Sequence, residues 1–164
     1  MNGVKKLLKR IIPKDLFIRI APLWHLLVAV AANVRYGFPA RKMHVIGVTG
    51  TNGKTTTTTL IFTMLREAGY DVAYLSTTSY GYNNDIHQQI EHMTTASAPV
   101  LLRRIRDFKR AGAKWLVVES SSHALAQHRT WGLPYEIAVM TNVTHEHLDY
   151  HKTFANYREA KRRL

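Results

Sequence analysis

Residues 43–56 constrain this chain more than any other segment. Met-His-Val-Ile-Gly-Val is apolar, Thr-Gly-Thr-Asn-Gly supplies a tight turn, and Lys54-Thr55-Thr56 opens a run with helical spacing. Strand, glycine turn and helix in that order make a cradle for an anion. Glycines let the chain bend so that successive N–H groups converge, and the starting helix adds its positive end. Residues 50–56 (Gly50, Thr51, Asn52, Gly53, Lys54, Thr55, Thr56) are therefore the predicted nucleotide-phosphate loop. Within it Lys54 reaches the β/γ-phosphates and the Thr55 hydroxyl ligates Mg²⁺. The strict pattern places glycine where Val48 stands; here the additional glycine is Gly50. An ordinary glycine-rich strand-to-helix turn is the plainer alternative, and the flanking strand and helix weigh against it.

Beyond residue 43 the chain alternates strand and helix. Strands are predicted at 43–48, 71–76, 114–119 and 137–141, and helices at 55–68, 98–111 and 154–164. Gly69 and Gly112 close the first two helices. A hairpin or excursion fills 79–92 around Tyr-Gly-Tyr-Asn-Asn-Asp. This order predicts an α/β fold, a mostly parallel sheet with flanking helices. The last helical pattern is still running at Leu164, so the sequence reads as a piece of something longer.

Residues 1–42 form a distinct basic-apolar arm, and 43–164 the nucleotide-binding body. The arm holds nine Lys/Arg against Asp15 alone, which is most of the +12 formal charge of the 164-residue chain. Lys5, Lys6, Lys9, Arg10 and Lys14 precede an apolar stretch broken by Arg19, Pro22 and His25, and Arg35, Arg41 and Lys42 follow it. The uninterrupted apolar part is too short to span a bilayer. Two readings stay open: an amphipathic helix on an anionic membrane surface, or a helix packed on the body with its charges solvated. Basic residues without aromatic interleaving argue against nucleic acid as a partner. With no cysteine there is no disulfide and no thiolate metal site, in keeping with a cytoplasmic protein, one that the arm could hold at the inner membrane face.

Ligands of open α/β sheets gather at the carboxyl ends of the strands. Strand 114–119 delivers Glu119 to that rim beside the phosphate loop, where a carboxylate serves Mg²⁺; a helix N-terminal acid is the alternative. Residues 141–151 (Thr-Asn-Val-Thr-His-Glu-His-Leu-Asp-Tyr-His) concentrate three histidines and two acids, which suits metal or phosphate chemistry. His145-x-His147 has zinc-pair spacing, but neither cysteine nor an HExxH helix supports it. His123 and His128 read as packed histidines.

Three runs together carry a resemblance. Thr49–Thr56, the Glu119-to-Arg129 segment (with Ser-Ser-His-Ala-Leu-Ala-Gln-His-Arg) and Thr141-Asn142 with His147-Leu148-Asp149-Tyr150-His151 resemble the central domain of the Mur ligases, over about residues 43 to 164. Within that family they are most similar to the branch acting on UDP-N-acetylmuramoyl-L-alanyl-D-glutamate. The resemblance implies an ATP- and Mg²⁺-dependent amide ligase of peptidoglycan precursor synthesis, joining an amino acid to a muramoyl-peptide through an acyl phosphate. It implies catalytic and metal-binding roles for Lys54, Thr55, Glu119, His147 and Lys161, the last matching a lysine that is carbamylated in these ligases. It implies muramoyl-substrate contacts at Thr94, Thr95, Ser121, Gln127 and Arg129. Three departures stand out. The sequence stops before the part that in this family binds the adenine and the incoming amino acid, so the fragment alone is expected not to complete a turnover. The short arm occupies the place of the family's uridine-nucleotide domain, which leaves a UDP-linked or an altered acceptor open. Glu146 stands where the family commonly has Asp. Another ligase of the superfamily, of the folylpolyglutamate or cyanophycin type, and a non-catalytic nucleotide-binding protein are the competing readings.

Overall fold

A computed structural model describes residues 14–89 and 94–164. The basic run Lys5, Lys6, Lys9 and Arg10 and the far end of the 79–92 excursion lie outside the described residues. The elements run α1 (Lys14–Tyr36), β1 (His44–Thr49), α2 (Lys54–Glu67), β2 (Val72–Leu75), β3 (Ser79–Tyr82) and β4 (Asp85–Gln88). They continue with α3 (Ala98–Ala111), β5 (Trp115–Glu119), α4 (Ser122–Ala126), β6 (Tyr135–Met140), α5 (Leu148–His151) and α6 (Phe154–Lys161). One six-stranded sheet has the order β4-β3-β2-β5-β1-β6. β2, β5, β1 and β6 are parallel, and the β3–β4 hairpin adds two antiparallel strands at one edge.

The parallel strands are near-continuous apolar runs because both of their faces are covered. Side-chain alternation splits them between two cores. Val45, Ala73, Leu75, Leu116 and Val118 pack under α1 and α3 with Ala32, Leu101, Leu102, Ile105 and Phe108. Ile46, Val48, Val72, Tyr74 and Val117 pack against Phe62 of α2 on the opposite face. The Phe62 and Tyr74 rings stack there at 4.1 Å. Helix α3 spans the predicted 98–111, and Gly112, in the left-handed region at φ +109°, ends it.

Of the two readings of the arm, packing on the body describes the inner side of α1. Ala29 and Asn33 are fully buried and Ala32 nearly so. The Asn33 amide donates to Ala29 O at 3.0 Å and to Trp131 O at 2.8 Å, tying the helix to the loop before β6.

The differences from sequence expectation are local. β6 begins at Tyr135 rather than 137, because an irregularity between Val45 and Ile46 brings Tyr135 into register with β1. Helix α6 stops at Lys161. The short helices α4 and α5 are too brief for a periodic signal.

Candidate functional site

Parallel pairing of β1 with β5 sets Val48 opposite Glu119, so the phosphate loop and the carboxylate leave the sheet side by side. Gly50 has φ +155°, and a Cβ there would collide with Thr141 Oγ1. Gly53 caps α2 in the left-handed region at φ +80°, with no side chain bonded to the first helical amides. Those amides have no partners within the helix, so the turn presents them outward. The extra glycine at position 50 thus has a structural cause: the loop must pass under the segment after β6.

That segment clasps the loop. Thr51 N donates to Asn142 O at 2.9 Å and Asn52 N to Asn142 Oδ1 at 3.0 Å. Thr141 Oγ1 and Asn142 Nδ2 donate back to Asn52 O at 2.6 and 3.1 Å. Thr51 Oγ1 accepts from Thr144 N at 2.9 Å and lies 2.9 Å from the Tyr157 hydroxyl. Tyr157 in turn reaches Glu146 Oε2 at 3.4 Å.

Glu119 is 1% exposed. Thr55 Oγ1 donates to its carboxylate, lying 3.1 and 3.0 Å from the two oxygens. Thr77 donates its amide and its hydroxyl, both at 2.8 Å. A carboxylate this deep is tolerable because it is well hydrogen-bonded. Lys54 Nζ donates to Thr51 O at 2.7 Å, curled over its own loop. Lys161 is also 1% exposed and donates to Gly50 O at 2.6 Å, with its ammonium 4.5 Å from the Tyr157 ring centre. Burial, and then the nearby Lys54 charge, push its pKa down to about 8, and Glu146 opposes them. Two lysines therefore converge on one loop, Lys54 on Thr51 O and Lys161 on Gly50 O.

His147 opens α5 with a left-handed backbone at φ +54° and sits 3.7 Å from Glu146 Oε2. Its ring meets His123 edge-on at 4.7 Å, whereas His145 stacks on Phe154 at 4.6 Å. The two imidazoles of the candidate zinc pair thus have different partners. Among the described residues no group of three His, Asp or Glu side chains is gathered as a metal site. Burial, followed by the His147 and Arg129 charges, lowers the His123 pKa.

Four of the five candidate substrate residues form one network. Ser121 N donates to Thr95 Oγ1 at 3.0 Å, and Thr95 Oγ1 to Glu119 O at 3.1 Å. Arg129 donates through Nε and Nη2 to Gln127 Oε1 at 2.8 and 2.6 Å, and through Nη1 to Thr95 O at 2.9 Å. Gln127 Nε2 donates to the Tyr150 hydroxyl at 3.1 Å. Thr94 lies beside Thr95 and Glu119 at the lining of a small cavity. Ser121 also caps α4 by accepting from Ala124 N at 3.2 Å. Thr77, Asn142 and Tyr157 are the structural partners that sequence reading did not assign.

A glycine turn, a lysine and threonine, and a buried carboxylate on the rim of a parallel sheet are the arrangement of P-loop-type α/β domains. Residues 48–164 match the model of the Mur ligase middle domain family. The chain belongs to the Mur ligase family. A UDP-N-acetylmuramoyl-L-alanyl-D-glutamate–2,6-diaminopimelate ligase from Geobacter metallireducens is 46% identical over 134 residues, 82% of this chain and 26% of that protein. A UDP-N-acetylmuramyl-tripeptide synthetase from Deinococcus radiodurans is 42% identical over 138 residues, 84% of this chain and 28% of that protein. A solved UDP-N-acetylmuramoyl-L-alanyl-D-glutamate–2,6-diaminopimelate ligase matches with a TM-score of 0.69 at 32% identity, covering 88% of this chain and 28% of that one. The chain spans about a quarter of the length of these relatives.

Proposed function

We propose that this chain carries the ATP- and Mg²⁺-binding catalytic portion of a cytoplasmic amide ligase for peptidoglycan precursors. The reaction joins an amino acid to a muramoyl-peptide, UDP-linked or altered, through an acyl phosphate. The observation that carries this reading is the Thr55–Glu119 pair beside Lys54, on a loop whose glycine turn faces outward.

Phosphoryl transfer asks a protein mainly for positioning and charge neutralisation. Lys54, now bonded to Thr51 O, would hold the β/γ-phosphates, and the first-turn amides of α2 would meet the remaining oxygens. Thr55 and Glu119 would hold Mg²⁺, which when bound neutralises phosphate charge. The donor set fits, since a buried carboxylate and a hydroxyl already lie within hydrogen-bond distance. His147 and Lys161 would hold a second Mg²⁺, Lys161 after its amine has taken up CO₂ as a carbamate and released a proton. A pKa near 8 supports that chemistry, because roughly a tenth of the amine is neutral at pH 7. Thr94, Thr95, Ser121, Gln127 and Arg129 orient the acceptor, with the Arg129 guanidinium meeting an anionic group.

A binding comparison tests the substrate class. The chain binds a UDP-muramoyl dipeptide in preference to a folate, and Arg129→Ala weakens this by about tenfold or more. Equal binding of the two ligands, or an unaffected Arg129→Ala variant, rejects the muramoyl assignment.

A further inference from the structure

Helix α1 has two sides in opposite surroundings. Its inner side, at Ala29, Ala32 and Asn33, is buried against the body. Its outer side carries Ile20, Leu23, Trp24, Leu27 and Val34, between 47% and 66% exposed. The spacings of three, four, seven and fourteen residues from Ile20 put all five on one face. The row is about 21 Å long at the helical rise. Single exposed apolar residues are commonplace, but a continuous row of this kind marks an interaction surface.

The charge around the row says what covers it. Between residues 20 and 42 there is no Asp or Glu, while Arg35, Arg41 and Lys42 are exposed at the end of the helix and just after it. Arg106 of α3 lies over the Tyr36 ring at 5.0 Å, which places that side of α3 beside α1. Arg103 and Arg110, three and four residues away on the same side, are exposed. The acid of α3, Asp107, is paired with Arg106 at 2.8 Å. The sequence before the helix adds Lys5, Lys6, Lys9 and Arg10 with no acid.

A second copy seated on this face would form an isologous contact and bring the same cations against themselves. An anionic surface is complementary instead. Among the described residues no helix is long and apolar enough to cross a membrane. Trp with Leu and Ile on one face, flanked by Arg and Lys, is the pattern of a helix lying in the bilayer interface.

We propose that the outer face of α1 docks the protein on an anionic lipid bilayer. Ile20, Leu23, Trp24, Leu27 and Val34 enter the headgroup–acyl boundary, and Arg35, Arg41, Lys42, Arg103 and Arg110 meet the anionic headgroups. The helix packs on one face of the sheet, and the phosphate loop lies at the carboxyl ends of the strands. The inference is independent of the proposed reaction.

The test is co-sedimentation of the full chain with vesicles of phosphatidylglycerol and phosphatidylcholine, and with phosphatidylcholine alone. The protein sediments with the anionic vesicles at low salt, and high salt releases it in part. Leu23→Glu/Leu27→Glu lowers the partition coefficient by about tenfold or more; both positions are exposed, so its thermal unfolding matches the parent's. Trp24→Glu, in the same row, repeats the loss. Arg35→Glu/Arg103→Glu/Arg110→Glu weakens binding and flattens its salt dependence. No sedimentation at low salt overturns the proposal, as does sedimentation indifferent to the Leu23→Glu/Leu27→Glu and Trp24→Glu changes. A dimer in light scattering that these changes convert to monomer also overturns it, because the face then belongs to a second copy.

Discussion

The carboxyl rim of the sheet and the outer flank of α1 invert the usual distribution of polarity in opposite directions. The rim buries charge, with Glu119 and Lys161 each 1% exposed, and the flank exposes Leu23, Trp24, Leu27 and Val34. Their support differs just as much. Glu119 is held by Thr55 and by the amide and hydroxyl of Thr77, and Lys161 by Gly50 O. A buried charge survives only inside such a network, whereas an exposed leucine asks nothing of its surroundings in the folded chain. The rim is therefore rigidly specified by the fold, and the flank is free to be shaped by what it meets. The difference is also one of origin: the rim is assembled from four separate stretches of chain, the flank from one helix.

The comparison breaks most visibly at Glu119. Glu119→Ala abolishes Mg²⁺-dependent nucleotide binding and leaves the Thr55 and Thr77 donors unpaired, costing roughly 1–3 kcal/mol of stability. Calorimetric titration and urea unfolding read the two effects separately. A variant that keeps full affinity would show that the carboxylate only supports the loop.

A smaller effect comes from His151, which is 6% exposed and has its Nε2 3.1 Å from Ser122 Oγ. Burial, and then the charges of His123, His147 and Lys161, lower its pKa to about 4, with Asp149 opposing. The folded state holds it neutral where the unfolded chain takes up a proton. Stability therefore falls as pH drops from about 6.5 toward 4. His151→Gln, without a titrating ring, shows a shallower fall in urea midpoints between pH 7 and 4.5; an unchanged slope assigns the acid sensitivity elsewhere.

The smallest effect is on the flank. Leu27→Ala changes unfolding free energy by less than about 0.5 kcal/mol. A core substitution such as Leu102→Ala, at 1% exposure, costs about 2–5 kcal/mol. If Leu27→Ala costs as much as Leu102→Ala, the flank is packed in solution and the contrast fails.

The sequence made the rim legible only where the signal is local. Gly50, Gly53, Lys54 and Thr55 lie within one turn of chain, and Glu119 ends an unmistakable apolar strand, so their meeting followed from strand order. Thr77 was not legible. Its bonds to Glu119 depend on β2 lying beside β5 in a register that pairs Leu75 with Val118, which no local pattern fixes. Tyr157 was hidden for the same reason, bridging to Thr51 across 106 residues. Helix α1 shows the converse. Its composition left packing and membrane contact both open, because amphipathicity names two faces without saying what each one touches. Burial of Ala29, Ala32 and Asn33 assigns the inner face.

The most direct measurement of the central claim is calorimetric titration of the chain with Mg·ATP, beside a Lys54→Ala variant of unchanged thermal unfolding. The account predicts Mg²⁺-dependent binding by the parent and a loss of about a hundredfold or more in the variant. Equal affinities in the two proteins, or binding indifferent to Mg²⁺, would contradict it.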